Sequence, residues 1–182
     1  GDTSATGANI IDVSNDDGSE AWTLTGSAGV DTITGDGGID TISGGGGADV
    51  ITGAAGADVI TGGAGADDFV YLLTADLFAS SAIVDTSLAG GAGTDELLVG
   101  TSGTAFAIAA TDAWTGITTV ETITAVANSV AVTVDLHANA ATAGITTVDI
   151  SLADSGNNGS NIIDISEFTG SGATTLIGAD GT

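Results

Sequence analysis

Nine residues repeated five times without a gap set the terms for this chain. The units GSAGVDTIT, GDGGIDTIS, GGGGADVIT, GAAGADVIT and GGAGADDFV begin at Gly26, Gly35, Gly44, Gly53 and Gly62. All follow the pattern G-G-x-G-x-D-x-U-x, where U is a large apolar residue. One copy would mean little, but five in one register exclude coincidence. The first six positions of each unit are glycine-rich and suit a turn. The last three suit a short strand with one apolar side chain directed inward: Ile33, Ile42, Ile51, Ile60 and Phe69. Two units complete one coil. The spacing therefore predicts a right-handed parallel β-roll with Asp31, Asp49 and Asp67 along one edge and Asp40 and Asp58 along the other. A further unit, GGAGTDELL, stands apart at Gly90, with Asp95 and Leu97 in the same roles.

Stacked coils lie about 4.8 Å apart, so carboxylates on one edge repel their neighbours. Composition offers no internal remedy, because the 182 residues include 24 acidic ones, no Lys or Arg and one His, for a formal net charge of −24. Such a charge would normally mark disorder, yet 42% of the chain is hydrophobic and regularly spaced, which is enough to fold. Counterions held at defined sites would relieve the self-repulsion. With no Cys or Met the ligands must be oxygen, and the ion a hard cation, calcium or magnesium. Sixth-position carboxylates from two stacked turns, with the carbonyls of Gly35, Gly37, Gly44, Gly46, Gly53 and Gly62, supply the oxygen-rich shell that Ca²⁺ prefers. The same negative field argues against nucleic acid and against anionic membrane surfaces, and no apolar run approaches membrane-spanning length.

The repeats resemble the RTX family, the calcium-binding repeats of proteins that Gram-negative bacteria export by type I secretion. The strict match covers about a quarter of the chain. The resemblance implies Ca²⁺ between loops, disorder in the low-calcium cytosol, and folding outside the cell or at its surface. It carries ligand roles onto Asp31, Asp40, Asp49, Asp58, Asp67 and Asp95. Some positions depart from the pattern. Ser27 and Ala54 replace the second glycine, Asp36 takes that slot in the second unit, and Asp68 follows the last motif Asp. Asp36 and Asp68 are either extra ligands or solvated carboxylates. The start, GDTSATGANI, has no basic or apolar leader pattern, which suggests export by another route or a piece of something longer.

Beyond about Asp85 the glycine turns thin out and strand alternation takes over. In SVAVTVDL, Val130, Val132, Val134 and Leu136 share a face. An acidic residue after Val or Ile recurs at Glu121, Asp135, Asp149 and Asp164. This spacing predicts a wider β-solenoid with coils of about 28 to 30 residues, two strands in each. The four acids either occupy the outward phase of strand alternation or stack as Glu121 over Asp149 and Asp135 over Asp164, adding cation sites. The segment GANIIDVSNDDGSEAWTLTGSAG from Gly7 also aligns without a gap to GSNIIDISEFTGSGATTLIGADG from Gly159, with about half the positions identical. The organisation expected is first rungs at 1–25, the nonapeptide roll at 26–71, the wider solenoid at 72–158 with its isolated unit at 90–98, and the opening of a second copy at 159–182. Solenoids expose open edges unless capped, so the chain reads as one period of an array or a subunit stacked end to end.

Nothing points to catalysis. The chain has no H-E-x-x-H helix and no G-x-S-x-G elbow, and without Lys, Arg or Cys it has few groups for covalent or oxyanion chemistry. His137 is the lone imidazole and reads as structural. Trp22 and Trp114 either fill a wide coil or offer stacking platforms to a sugar. Two functions of different class remain. The mixture of nonapeptides with Thr- and Val-rich solenoid resembles bacterial S-layer and large repetitive surface or fibre proteins, whose partner is the protein itself. The alternative is the stalk or binding module of an adhesin that recognises a glycan, with a surface polysaccharide as its partner.

Overall fold

The structure is a computed structural model that describes residues 7–16, 18, 20–80, 82–101, 103–126, 131–151, 161–168 and 175–178. Each nonapeptide ends in one strand. The narrow part contains β1 (Ile10–Asp12), β2 (Thr23–Thr25), β3 (Thr32–Thr34), β4 (Thr41–Gly46), β5 (Val50–Thr52), β6 (Val59–Ala64) and β7 (Asp68–Tyr71). A short helix, α1 (Thr74–Leu77), and the hairpin of β8 (Phe78–Ala79) and β9 (Ala82–Ile83) precede β10 (Ser87–Ala92) and β11 (Glu96–Val99). Then come β12 (Phe106–Ile108), β13 (Ile117–Thr118), β14 (Thr122–Ala125), β15 (Val132–Asp135), a 3-10 turn at Ala138–Ala143, β16 (Thr147–Asp149), β17 (Ile162–Asp164) and β18 (Thr175–Ile177). No helix among the described residues is long and apolar enough to cross a membrane.

Parallel pairing sorts these strands into stacked faces. The longest sheet runs β1-β3-β5-β7-β11-β14-β16-β18, and the facing sheet runs β2-β4-β6-β10-β13. Alternate nonapeptides therefore fall on opposite faces, as two units per coil require. Because every pairing is in register, the eighth-position residues form columns. Ile11, Ile33, Ile51, Phe69, Leu97, Ile123, Val148 and Leu176 follow one another up the first sheet. Leu24, Ile42, Ile60, Leu88 and Ile117 do so up the second. From Leu24 through Val148 these side chains are buried and meet across the interior, each contributing roughly 1.5 to 3 kcal/mol of apolar burial.

The narrow coils advance eighteen residues per turn, with Thr32 beside Val50 and Val50 beside Asp68. The coil then widens. Asp68 faces Glu96, Glu96 faces Thr122, Thr122 faces Thr147 and Thr147 faces Thr175, which makes coils of 25 to 28 residues. They are shorter than the expected 28 to 30 and differ in plan, because a third parallel sheet, β12-β15-β17, turns the two-sided coil into a three-sided one. Val132, Val134 and Leu136 are buried along it as their alternation predicts, whereas Val130 lies outside the described residues. Trp114 fills the enlarged interior, edge-on to Phe78 with ring centroids 5.4 Å apart. Phe69 and Tyr71 are buried where the narrow roll gives way.

The two similar segments fold alike but sit differently. Ile10–Asp12 and Ile162–Asp164 are both strands, as are Thr23–Thr25 and Thr175–Ile177. The first pair lies on the long sheet and its facing sheet, while the second pair lies on the third sheet and the long sheet. The second segment is thus turned by one face of the solenoid.

Candidate metal centre

The sixth-position aspartates form two ladders. On the first edge Asp49 Oδ1 accepts the main-chain N–H of Asp31 at 2.8 Å, Asp67 Oδ1 that of Asp49 at 2.9 Å, and Asp95 Oδ1 that of Asp67 at 2.9 Å. On the second edge Asp58 Oδ1 accepts the N–H of Asp40 at 2.8 Å. One oxygen of each carboxylate thus holds the rung before it. The assignment of Asp31, Asp49 and Asp67 to one edge and of Asp40 and Asp58 to the other matches the expected alternation, and the isolated unit returns Asp95 to the first edge.

Residues outside the nonapeptides extend both ladders. Asn9 caps the first, its main-chain N–H and Nδ2 donating to Asp31 Oδ1 at 2.6 and 2.8 Å. Glu121 closes the other end by accepting the Asp95 N–H on Oε2 at 2.9 Å. On the second edge Asp85 Oδ1 accepts the Asp58 N–H at 3.1 Å, and Tyr71 Oη donates to Asp85 Oδ2. A signal for two of these was present, since Asn9-x-Ile11 and Glu121-x-Ile123 keep the D-x-U spacing with a different polar residue. Asp85 follows the insertion of α1 and the hairpin and has no such spacing.

The second carboxylate oxygens are the chemically informative atoms. Oδ2 of Asp49, Asp58, Asp67 and Asp95 is buried and has no hydrogen-bond donor. Each lies against the first glycine of its own unit. A Cβ on Gly44 would collide with Asp49 Oδ2 and stand 2.7 Å from the Gly62 carbonyl oxygen, and one on Gly62 would meet Asp67 Oδ2 and the Gly90 carbonyl in the same way. Glycine is required there because a carboxylate oxygen and a carbonyl oxygen from the next rung converge on its Cα. The carbonyls of Gly44 and Gly53 approach Gly26 and Gly35 likewise. Gly35 and Gly46 enter the stack through their N–H groups, bonded to the carbonyls of Thr52 and Ser27, and Gly37 lies under the Gly18 carbonyl.

Electrostatics marks the same atoms. Two full charges about 4.8 Å apart repel by about 3 kcal/mol at an effective dielectric near 20, a large share of the roughly 5 to 15 kcal/mol that holds a domain together. Burial, reinforced by the flanking carboxylates, pushes Asp49, Asp67 and Asp95 above the ordinary value. Burial beside Asp85 and Asp40 pushes Asp58 up to about 7. Burial also raises Asp85, to about 6, against the hydrogen bond from Tyr71. Asp31 differs, because donors from Ser27 and Asn9 outweigh its burial and hold it low.

The remaining acids lie elsewhere. Asp68 sits on β7 in register with Glu96, outside the two ladders. Asp135 and Asp164 stack in register as expected, with His137 Nε2 3.5 Å from Asp135 and His137 Nδ1 3.1 Å from Glu167. Glu121 does not stack over Asp149. It precedes β14 on the first edge, and the residue beside Asp149 is Thr124, because the three-sided coil is shorter than the assumed repeat. Asp149 and Asp164 each accept the N–H of the serine two residues on, at 2.8 and 2.9 Å, a local turn role.

A parallel β-roll whose turns direct buried, donorless carboxylate oxygens at carbonyls of the next rung suits a hard cation, and its all-oxygen donor set suits Ca²⁺. Residues 23–42 and 34–69 match the RTX calcium-binding nonapeptide repeat, in four copies. The chain thus carries RTX repeats, and such repeats bind Ca²⁺. No curated protein and no solved structure matches it.

Proposed function

We propose that this chain is a calcium-dependent structural protein of the extracellular surface, one that assembles with copies of itself into a lattice or fibre and carries no catalytic activity. The observation that carries the calcium dependence is the row of buried Oδ2 atoms without donors, in a chain with no lysine or arginine. Asp31, Asp49, Asp67 and Asp95 on one edge and Asp40 and Asp58 on the other would hold the ions, with the carbonyls of Gly44, Gly53, Gly62 and Gly90 beside them. The bound ions supply positive charge between rungs. The protein's own part is to order glycine turns that would otherwise lose roughly 1 to 2 kcal/mol per residue in backbone entropy. Folding that waits for calcium fits export as an unfolded chain by type I secretion.

Self-association is supported by the sheet ends. β1 and β18 are the outermost strands of the longest sheet, so each presents one unpaired edge, and Ile10 beside that edge is 83% exposed. Leu176 and Ile177 are exposed at the opposite end. Electron microscopy of the purified protein with and without Ca²⁺ tests the proposal. Sheets or filaments that form with calcium and dissolve on chelation support it. A dispersed monomer that binds a glycan instead identifies an adhesin stalk.

A further inference from the structure

The second ladder starts with a residue that has no carboxylate. Nine residues before Asp31 stands Trp22, and its main-chain N–H donates to Asp40 Oδ1 at 2.8 Å, the bond that Asp40 itself makes to Asp58. An indole thus occupies the place of a sixth-position aspartate. Three other carboxylates converge at the same turn. One oxygen each of Asp16, Glu20 and Asp36 lies within 4.8 Å of the others. They come from two stacked turns, since a Cβ on Gly38 would collide with the Glu20 carbonyl and one on Gly37 would stand 3.1 Å from that of Gly18. Asp36 is only 3% exposed; its Oδ1 accepts the Gly38 N–H at 2.7 Å, while its Oδ2 is buried with no donor.

We propose that Asp16, Glu20 and Asp36 bind a divalent cation of calcium size that bridges the first two turns of the second edge, in place of the carboxylate that Trp22 lacks. Three carboxylates so close together need a positive partner, and the chain has no lysine or arginine to provide one. The donor set is all oxygen, which selects a hard cation. Asp36 gives the site a fixed, buried oxygen, and the exposed Asp16 and Glu20 close over it from the preceding turn. Asp16 also lines an open cavity of about 300 Å³ with Asp12, Val13, Asn15 and Trp22, which leaves the ion a way in. The site lies outside the sixth-position pattern, though it shares with the proposed function the premise that calcium neutralises this edge.

The test counts calcium per chain at saturating free Ca²⁺ in the wild type, in an Asp16→Asn/Glu20→Gln double variant and in an Asp49→Asn variant. Both residues of the double variant are exposed and keep their shape, so its sheet signal in circular dichroism should equal that of the wild type. One ion fewer in the double variant supports the proposal. An unchanged count overturns it while leaving the ladder reading intact, provided that Asp49→Asn loses calcium. No calcium in the wild type overturns both. If the double variant loses its sheet signal, Glu20→Gln alone is titrated; a weakest calcium site about tenfold weaker than in the wild type supports the bridge, and an unchanged titration overturns it.

Discussion

One continuous eight-stranded sheet passes through two different interiors. In the narrow roll each strand contributes one large apolar side chain, and the turns bury carboxylates at Asp31, Asp40, Asp49, Asp58 and Asp67. In the three-sided solenoid the interior is filled by Phe106, Ile108, Trp114, Val132, Val134 and Leu136, and the first-edge ladder of carboxylates ends at Glu121. An eighteen-residue coil encloses too little apolar surface to fix glycine turns unaided, whereas a coil of 25 to 28 residues encloses a third face. The first region therefore depends on ions for stability and the second on burial.

Chelation should separate the two most sharply. With calcium removed, residues 26–70 should lose hydrogen-exchange protection together, while β14, β15 and β16 keep theirs. Equal loss in both regions, or protection unchanged in the roll, would break the contrast.

Acid should then partly replace the metal. In calcium-free protein, carboxyls whose folded values are raised bind protons more tightly folded than unfolded. Their stabilising effect is complete below the ordinary aspartate value of 3.8 and is lost as pH rises through the folded values, about 7 for Asp58 and about 6 for Asp85. Asp31, held low, acts in the opposite sense, but Asp49, Asp67 and Asp95 act with Asp58. The melting temperature of the chelated roll should fall between about pH 4 and pH 7, while saturating calcium should remove or invert that slope. A chelated roll that grows more stable over the same interval contradicts the burial of these groups.

Single rungs give a smaller effect. Replacing Asp49 by alanine strips the acceptor from the buried Asp31 N–H and should cost about 1 to 3 kcal/mol. Asp31→Ala frees groups of Asn9 and Ser27, which are only partly buried and can turn to water, and should cost about 1 kcal/mol or less. Calcium titrations followed by circular dichroism should show the larger midpoint shift for Asp49→Ala. Equal shifts would mean that inner and outer rungs are equivalent.

The legibility of the chain follows the same divide. In the roll, a strict nine-residue period encodes turn, strand and facing together, so the edges, the inward column and the ladder aspartates all follow from the spacing of the residues. In the solenoid, the period-two pattern marks Val132 and Val134 as inward but is silent on how many faces a coil has. A two-strand coil is the simplest reading of β12 and β15, and it sets Glu121 over Asp149 where the three-sided coil does not. The helix and hairpin between β7 and β10 shift the register, so the contribution of Asp85 depends on tertiary structure. The cluster of Asp16, Glu20 and Asp36 is hidden for a related reason: its residues are 4 and 16 apart and meet only because the turns stack.

The smallest effect tests the roll at its backbone. Ala54 stands where other units place Gly45 or Gly63, and it adopts the same left-handed region, at φ +72° against +106° and +121°. An L-residue there loses about 1 kcal/mol that glycine does not. Ala54→Gly should therefore stabilise the protein, and because the strained turn belongs to the calcium-dependent roll, it should also move the calcium midpoint to lower concentration. Ala131 has the same strain, at φ +52°, just before β15 in the solenoid. Ala131→Gly should raise thermal stability by a similar amount with no change in the calcium midpoint. If both substitutions moved that midpoint equally, the ions would be stabilising the whole column, and the division between an ion-dependent roll and a burial-dependent solenoid would not hold.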